Sequence, residues 1–206
     1  MEHPPLLLAS SSPYRKALLS RLALPFETAS PDIDETPYES EPPEELATRL
    51  AEQKAEALAQ SYPAHWIIGS DQVASLSSGE TLSKPGDHEH AVAQLMRSSG
   101  RTVTFYTGLC LLNAANGDRQ IHCETFHAHF RHLSTAEIEH YVTIEQPFDC
   151  AGSFKMEGLG IVLFESLEGR DPNSLIGLPL IALTNMLTRW GLNPLLAASP
   201  SAQITL

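Results

Sequence analysis

Cysteine is scarce in this chain: Cys110, Cys123 and Cys150 stand alone among 206 residues, odd in number and without a CxxC pair. That excludes a disulfide framework and gives no support to a structural zinc site, and it suits a reducing compartment. All three read as small buried hydrophobes. Positive charge is short as well, with 13 Lys and Arg against 25 Asp and Glu and a net charge of −12. Non-specific nucleic-acid binding needs a positive surface, so it is not expected. A small phosphorylated ligand stays open if local Arg and Lys, a divalent metal, or both meet its charge. No apolar run approaches the roughly 20 residues of a bilayer span. Leu6-Leu7-Leu8-Ala9, preceded by Pro4-Pro5, is too short for a secretory signal. The expectation is a cytoplasmic protein with no membrane partner. Familiar site signatures are missing too. There is no GxxxxGKS/T P-loop, Gly158-Leu159-Gly160 lacks the third glycine and following helix of a dinucleotide fingerprint, and no GxSxG elbow supports a serine hydrolase.

What is present is a core-forming chain, 42% hydrophobic with interspersed charge, long enough for one good-sized domain over 1–206. Its elements alternate in type. A strand at about 5–10 precedes a helix at about 13–23, and a proline-rich acidic loop follows from Pro31 to Pro43. Glu44 to Gln60 is an amphipathic helix with Leu46, Leu50, Ala57 and Leu58 near one face. Trp66-Ile67-Ile68-Gly69 reads as a buried strand ending at Ser70-Asp71-Gln72. After Lys84-Pro85-Gly86 comes a helix to about Met96. Strands at about 102–113 and 119–131 flank Asn116-Gly117, a strong hairpin signal. Ser134 and Glu137 form a capping box for a helix to about Ile144. A strand over 160–164, a loop over 168–176 and a helix from Leu178 to Trp190 complete the chain. The pattern predicts an α/β domain with a mixed β-sheet, because the hairpin requires antiparallel pairs.

The N-terminal turn carries the sharpest chemistry. Ser12 suits an N-cap and Pro13 the first helical position. Arg15 and Lys16 then stand at the positive end of the helix dipole, where cations are disfavoured. A bound anion would remove the conflict, and phosphate matches the fork of an arginine. Asp71, expected just past a buried strand, is a candidate acid or base, since α/β proteins place ligands at the carboxyl ends of strands. A lone aspartate there is more often a turn cap; its company decides. Asp34-Glu35-Thr36 supplies carboxylates on a separate loop that could share a hard divalent ion with it. Lys54 and Lys84 offer cations, each unremarkable singly. His127 and His129 alternate on one strand face; without a third ligand they read as solvated, and no metal site is assigned to them.

Together, Leu8-Ala9-Ser10-Ser11-Ser12-Pro13-Tyr14-Arg15-Lys16, Asp34-Glu35-Thr36, the helix with Lys54, Gly69-Ser70-Asp71-Gln72-Val73, Lys84-Pro85, Thr107-Gly108 and Gly177-Leu178-Pro179-Leu180 resemble the Maf family of nucleoside triphosphate pyrophosphatases. The resemblance spans nearly the whole chain. It implies a curved mixed sheet flanked by helices, with two lobes around a cleft, and hydrolysis of the α–β phosphoanhydride with a divalent cation, Mg²⁺ or Mn²⁺. It implies Asp71 as proton acceptor, Glu35 and Asp71 as metal ligands, and Ser10, Ser12, Arg15, Lys54 and Lys84 as substrate-binding residues. It implies a nucleotide as the small-molecule partner and a homodimer. Gln72 and the segment Ala151 to Gly158 resemble the branch acting on 7-methylguanosine triphosphate, which discriminates at positions matching Tyr14, Gln72 and Glu157. An aromatic ring can stack on a cationic base and a carboxylate can accept from its N–H groups. The thymidine/uridine triphosphate branch usually has Asp-Thr at Asp71-Gln72. A non-catalytic nucleotide-binding regulator of cell division is the alternative from another class, and a phosphosugar hydrolase a third. One departure stands out: the family usually has Arg where this chain has Lys16, which keeps the charge and loses the fork.

Overall fold

In the computed structural model, residues 3–197 are described. Their centre is a seven-stranded mixed sheet in the order β2-β1-β3-β5-β6-β7, with β4 added beside β3. The strands are β1 (Leu6–Ala9), β2 (Phe26–Ala29), β3 (Trp66–Leu76), β4 (Thr81–Leu82), β5 (Thr102–Asn113), β6 (Arg119–Phe130) and β7 (Phe164–Gly169). The helices are α1 (Pro13–Ser20), α2 (Pro43–Ala59), α3 (His88–Ser98), α4 (Thr135–Glu145), α5 (Leu180–Arg189) and α6 (Pro194–Ala197). β1 runs parallel to β2 and β3, while β3, β5, β6 and β7 pair antiparallel. The expected mixed sheet flanked by helices is what forms. No helix among the described residues is long and apolar enough to cross a membrane.

All four residues of β1 are buried because both faces of the sheet are covered there. The strand's period of two sends Leu6 and Leu8 towards Leu18, Leu19, Leu183 and Leu187 of α1 and α5. Leu7 and Ala9 pack with Ala51 and Ala55 of α2. The far half of the sheet is covered by α3 and α4, through Ala91, Leu95, Ile138 and Val142 around Val103 and Phe105.

α2 lies unusually close to the sheet. A Cβ on Gly69 would collide with the carbonyl of Ala51, and one on Gly108 with the carbonyl of Ala47. These glycines, with the alanines facing them, let the helix backbone settle onto β3 and β5. That contact carries Lys54 to the floor of the cleft. Gly69→Ala is expected to cost about 1–3 kcal/mol by overpacking, seen as a lower Tm in thermal unfolding; an unchanged Tm would remove close packing as the reason for glycine here.

Several boundaries differ from the sequence expectation. β3 does not stop at Gly69 but continues for 11 residues, so Asp71 lies within the strand, opposite Gly108 of β5, and not in a turn after it. Asp71 and Gln72 interrupt the apolar pattern because they line the cleft, while Ser70 is buried with its Oγ bonded to the Gly108 and Gly177 carbonyls, and Val73 resumes the pattern. The strand expected at 160–164 is a 3-10 turn, Leu159–Leu163, and β7 begins only at Phe164. Its mostly exposed residues gave no apolar alternation to read. The edge strand β2 and the two-residue β4 carry no such alternation either. The β5–β6 hairpin forms as expected, though its loop spans residues 114–118, with Gly117 at φ 79°.

Candidate active site

The sequence Ser10-Ser11-Ser12-Pro13 turns the chain from buried β1 into α1. Ser10 is buried and its Oγ accepts the Ser12 N–H at 3.1 Å. Ser12 is the N-cap and its Oγ accepts the Arg15 N–H at 3.4 Å, with Pro13 opening the helix. The cap and proline stand where the sequence places them. Arg15, one of the two cations at this helix start, has a partner within the protein: its Nε donates to the Gly177 carbonyl at 2.8 Å, and the residue lines the cavity. Ser70 Oγ donates to the same carbonyl at 2.9 Å. Gly177, at φ 112°, closes the 3-10 turn Pro172–Ile176, and the left-handed backbone aims its carbonyl back at Arg15. Burial pulls the Arg15 guanidinium down, while Asp71 and Glu35 pull it up; it stays a cation.

Three charges meet on the cleft floor. Lys54 Nζ on α2 lies 2.5 Å from Asp71 Oδ1 on β3 and 2.7 Å from Glu35 Oε1 on the β2–α2 loop. Lys54 and Asp71 are buried, while Glu35 is half in solvent. A buried ammonium is held here because two carboxylates face it. Burial raises the Glu35 carboxyl, but the hydrogen bond and charge of Lys54, helped by Lys84 and Arg15, outweigh that and leave it below its ordinary 4.5.

The walls above this floor enclose about 610 Å³, the size of a small-ligand cavity. The serine turn, Tyr14, Arg15, Gln72, Lys84, Cys150 and Glu157 line it. Gln72 Nε2 donates to the Ser174 carbonyl at 2.6 Å and to Thr107 Oγ1 at 3.3 Å. Its amide nitrogen is thereby committed, leaving its oxygen as the group free to accept from a ligand. The Tyr14 hydroxyl is pushed up by burial and by the nearby Asp149, Cys150, Glu157 and Glu145. The cavity is therefore acidic around Tyr14. The Cys150 thiol, pushed by burial to about 12, is no thiolate nucleophile. Nor are Cys110, pushed to about 12, and Cys123, to about 11.

Of the residues singled out from sequence, Lys16, Asp34, His127 and His129 do not line this cavity, whereas Ser10, Ser12, Tyr14, Arg15, Glu35, Lys54, Asp71, Gln72, Lys84 and Glu157 do. Residues that the sequence does not advertise hold them there. Buried Gln94 on α3 donates to the Ser83 carbonyl at 2.9 Å and accepts from Ser153 Oγ at 2.7 Å. It thereby ties the Lys84 segment to the Glu157 segment. A glutamine that acts through a backbone carbonyl leaves no spacing signal. Glu124 of β6 pairs with Arg170, which precedes the turn ending at Gly177. Asp171, fully buried, accepts the Asn173 N–H at 2.9 Å and the Ile181 N–H at 2.7 Å. His127 and His129 spend Nδ1 on Thr104 and Thr102 across the hairpin. Among the described residues no group of three or more His, Cys, Asp or Glu converges to hold a metal ion.

Burial raises the Glu124 carboxyl, but Arg170 and His122 outweigh it and set its pKa below the ordinary 4.5. The unfolded chain therefore binds the proton first, and the stabilisation is complete above about pH 4.5 and lost as pH falls through the folded value. The wild-type Tm is expected to fall more steeply below pH 4.5 than that of Glu124→Gln; parallel curves would contradict this.

Residues 5–190 match the sequence profile of the Maf-like protein family. The chain belongs to that family. In this Maf-like protein the matched region contains every residue of the cavity floor. Among solved structures it is similar to the Ham1 protein of Staphylococcus aureus, with 15% identity and a TM-score of 0.47 over 74% of this chain and 88% of that one.

Proposed function

We propose that the protein hydrolyses nucleoside triphosphates at the α–β phosphoanhydride, giving a nucleoside monophosphate and pyrophosphate. Membership of a family whose members are usually nucleotide pyrophosphatases supports the reading. The observation that carries it is the convergence of Asp71 and Glu35 on Lys54, at 2.5 and 2.7 Å, beneath the serine turn and Arg15.

Ser10, Ser12 and Arg15 hold the phosphate chain with the N-terminal N–H groups of α1. Lys54 and Lys84 stabilise charge on the phosphoryl oxygens and on the departing pyrophosphate. Asp71 accepts a proton from the water whose oxygen attacks the α-phosphorus as its bond to the bridging oxygen of pyrophosphate breaks. Glu35 Oε1 and Asp71 Oδ1 pair with Lys54, so each carboxylate has a second hard oxygen to offer Mg²⁺ or Mn²⁺, which take one or two carboxylates together with substrate phosphates. Glu35 and Asp71 would hold the ion, which when bound lends Lewis acidity towards the phosphoryl oxygens.

For the base, Tyr14 lies among Glu157, Asp149 and Glu145 and Gln72 lines the same cavity, supporting a cationic purine such as that of 7-methylguanosine triphosphate. Tyr14 stacks on the ring, Glu157 accepts from its N–H groups, and the exposed carboxylate of Asp149 adds to the field. The test is kcat/KM across GTP, 7-methyl-GTP, dTTP and UTP with Mg²⁺ or Mn²⁺. The expected result is a preference for 7-methyl-GTP that Glu157→Gln reduces. A preference for dTTP or UTP would overturn the branch assignment.

A further inference from the structure

Glu35 stands on a segment with no regular structure. Residues 30–42, between β2 and α2, form neither helix nor strand, and 34–40 are all exposed. A carboxylate on such a segment would ordinarily sample many positions. Two anchors bracket it. Before it, Ile33 packs on Leu46, Leu50 and Val73. After it, the chain is gripped by one side chain, Arg49 of α2.

Every guanidinium nitrogen of Arg49 is engaged. Nε and Nη2 form a fork on Glu41, at 2.6 and 2.7 Å. Nη2 also donates to the Thr36 carbonyl at 3.2 Å, and Nη1 to Gln53 Oε1 at 3.0 Å. The guanidinium lies 4.0 Å from the centroid of the Tyr38 ring. Glu41 in turn accepts the Tyr38 N–H at 3.0 Å, and Asp34 Oδ1 the Thr36 N–H at 2.9 Å. Thr36, next to Glu35, thus has its N–H and its carbonyl both held. The Glu41 side chain is only 6% exposed, so this fork is shielded from the solvent that weakens surface pairs.

We infer that Arg49 is a positioning residue of the site: it clamps residues 36–41 so that Glu35 stays over Lys54 and Asp71. The geometry of the clamp stands by itself, while its consequence for a divalent ion rests on the function proposed above. Lysine cannot replace it, because an ammonium loses the fork and the planar stack together.

Arg49→Lys and Glu41→Gln test this in the full chain, each also combined with Glu35→Gln. Mn²⁺ binding is followed by calorimetry, exchange of the 33–41 amides by mass spectrometry, and nucleotide hydrolysis against Mn²⁺ concentration. Each single variant is expected to weaken Mn²⁺ binding by about tenfold, the range for residues that orient metal ligands, and to speed exchange over 33–41. Nucleotide KM at saturating Mn²⁺ stays within about twofold. In the Glu35→Gln background neither variant weakens Mn²⁺ binding further, because residues acting through one group are not additive. Mn²⁺ binding unchanged by either variant, or losses that multiply with Glu35→Gln, would overturn the inference. If the wild type hydrolyses no nucleotide, the proposed function fails, and Mn²⁺ binding and exchange still decide the role of Arg49.

Discussion

Replacing Asp71 with asparagine is expected to lower kcat by about 10³-fold while leaving Tm within a few degrees. The loss follows from the proton: an amide cannot take one from the attacking water, and a positioned general base is worth about 10²–10⁴-fold. The spared stability follows from the geometry. Lys54 keeps Glu35 at 2.7 Å, and the Asn carbonyl can still accept the bond that Asp71 Oδ1 accepts at 2.5 Å. Steady-state kinetics with 7-methyl-GTP, beside a thermal melt, checks both halves. Turnover within tenfold of wild type would remove Asp71 as the base. A collapse of Tm would show that the carboxylate is first of all structural.

Lys54→Met is expected to damage both activity and stability. The ammonium lies between two carboxylates, so removing it leaves the buried Asp71 without its ion-pair partner. Breaking one side of a buried pair costs about 3–5 kcal/mol. The Glu35 arm adds little to that, because its side chain is 53% exposed. Activity is expected to fall by about 10²–10³-fold, the loss typical of a donor aimed at developing charge. Lys84 and Arg15 are the remaining cations beside the cluster, but Arg15 Nε is committed to Gly177, and it cannot take over both carboxylates. A Tm unchanged from wild type would contradict the assignment of Lys54 as the centre of the charge cluster. Methionine matches the lysine stem out to Cε and lacks only the ammonium, so lost packing of the stem would not account for the effect.

The site was legible in sequence wherever its chemistry is local. Ser12 and Pro13 announce a helix start by capping rules, and the structure has both in those roles. The mixed sheet followed from alternation of element types and from one hairpin. What no local pattern can reveal is the partner that Arg15 Nε has within the protein, a carbonyl 162 residues away in the chain, while Arg15 still lines the cavity. Three polar residues in a row look like a turn and so place Asp71 past the end of a strand; in β3 Asp71 lies opposite Gly108 and lines the cleft with Gln72, while Ser70 is buried. The supporting residues were the least visible. Gln94 and Arg49 act through backbone carbonyls, and Glu124 through a partner 46 residues distant, so none carries a spacing signature. Gly69 and Gly108 stand out in sequence only within their motif segments, because their packing role depends on where α2 lies.

The central claim is attack by water at the α-phosphorus, with pyrophosphate leaving. Hydrolysis of 7-methyl-GTP in ¹⁸O-labelled water, followed by mass spectrometry of the products, tests it directly. The predicted result is one ¹⁸O in the nucleoside monophosphate and none in the pyrophosphate. Label in the pyrophosphate, or release of orthophosphate with a nucleoside diphosphate, would contradict it.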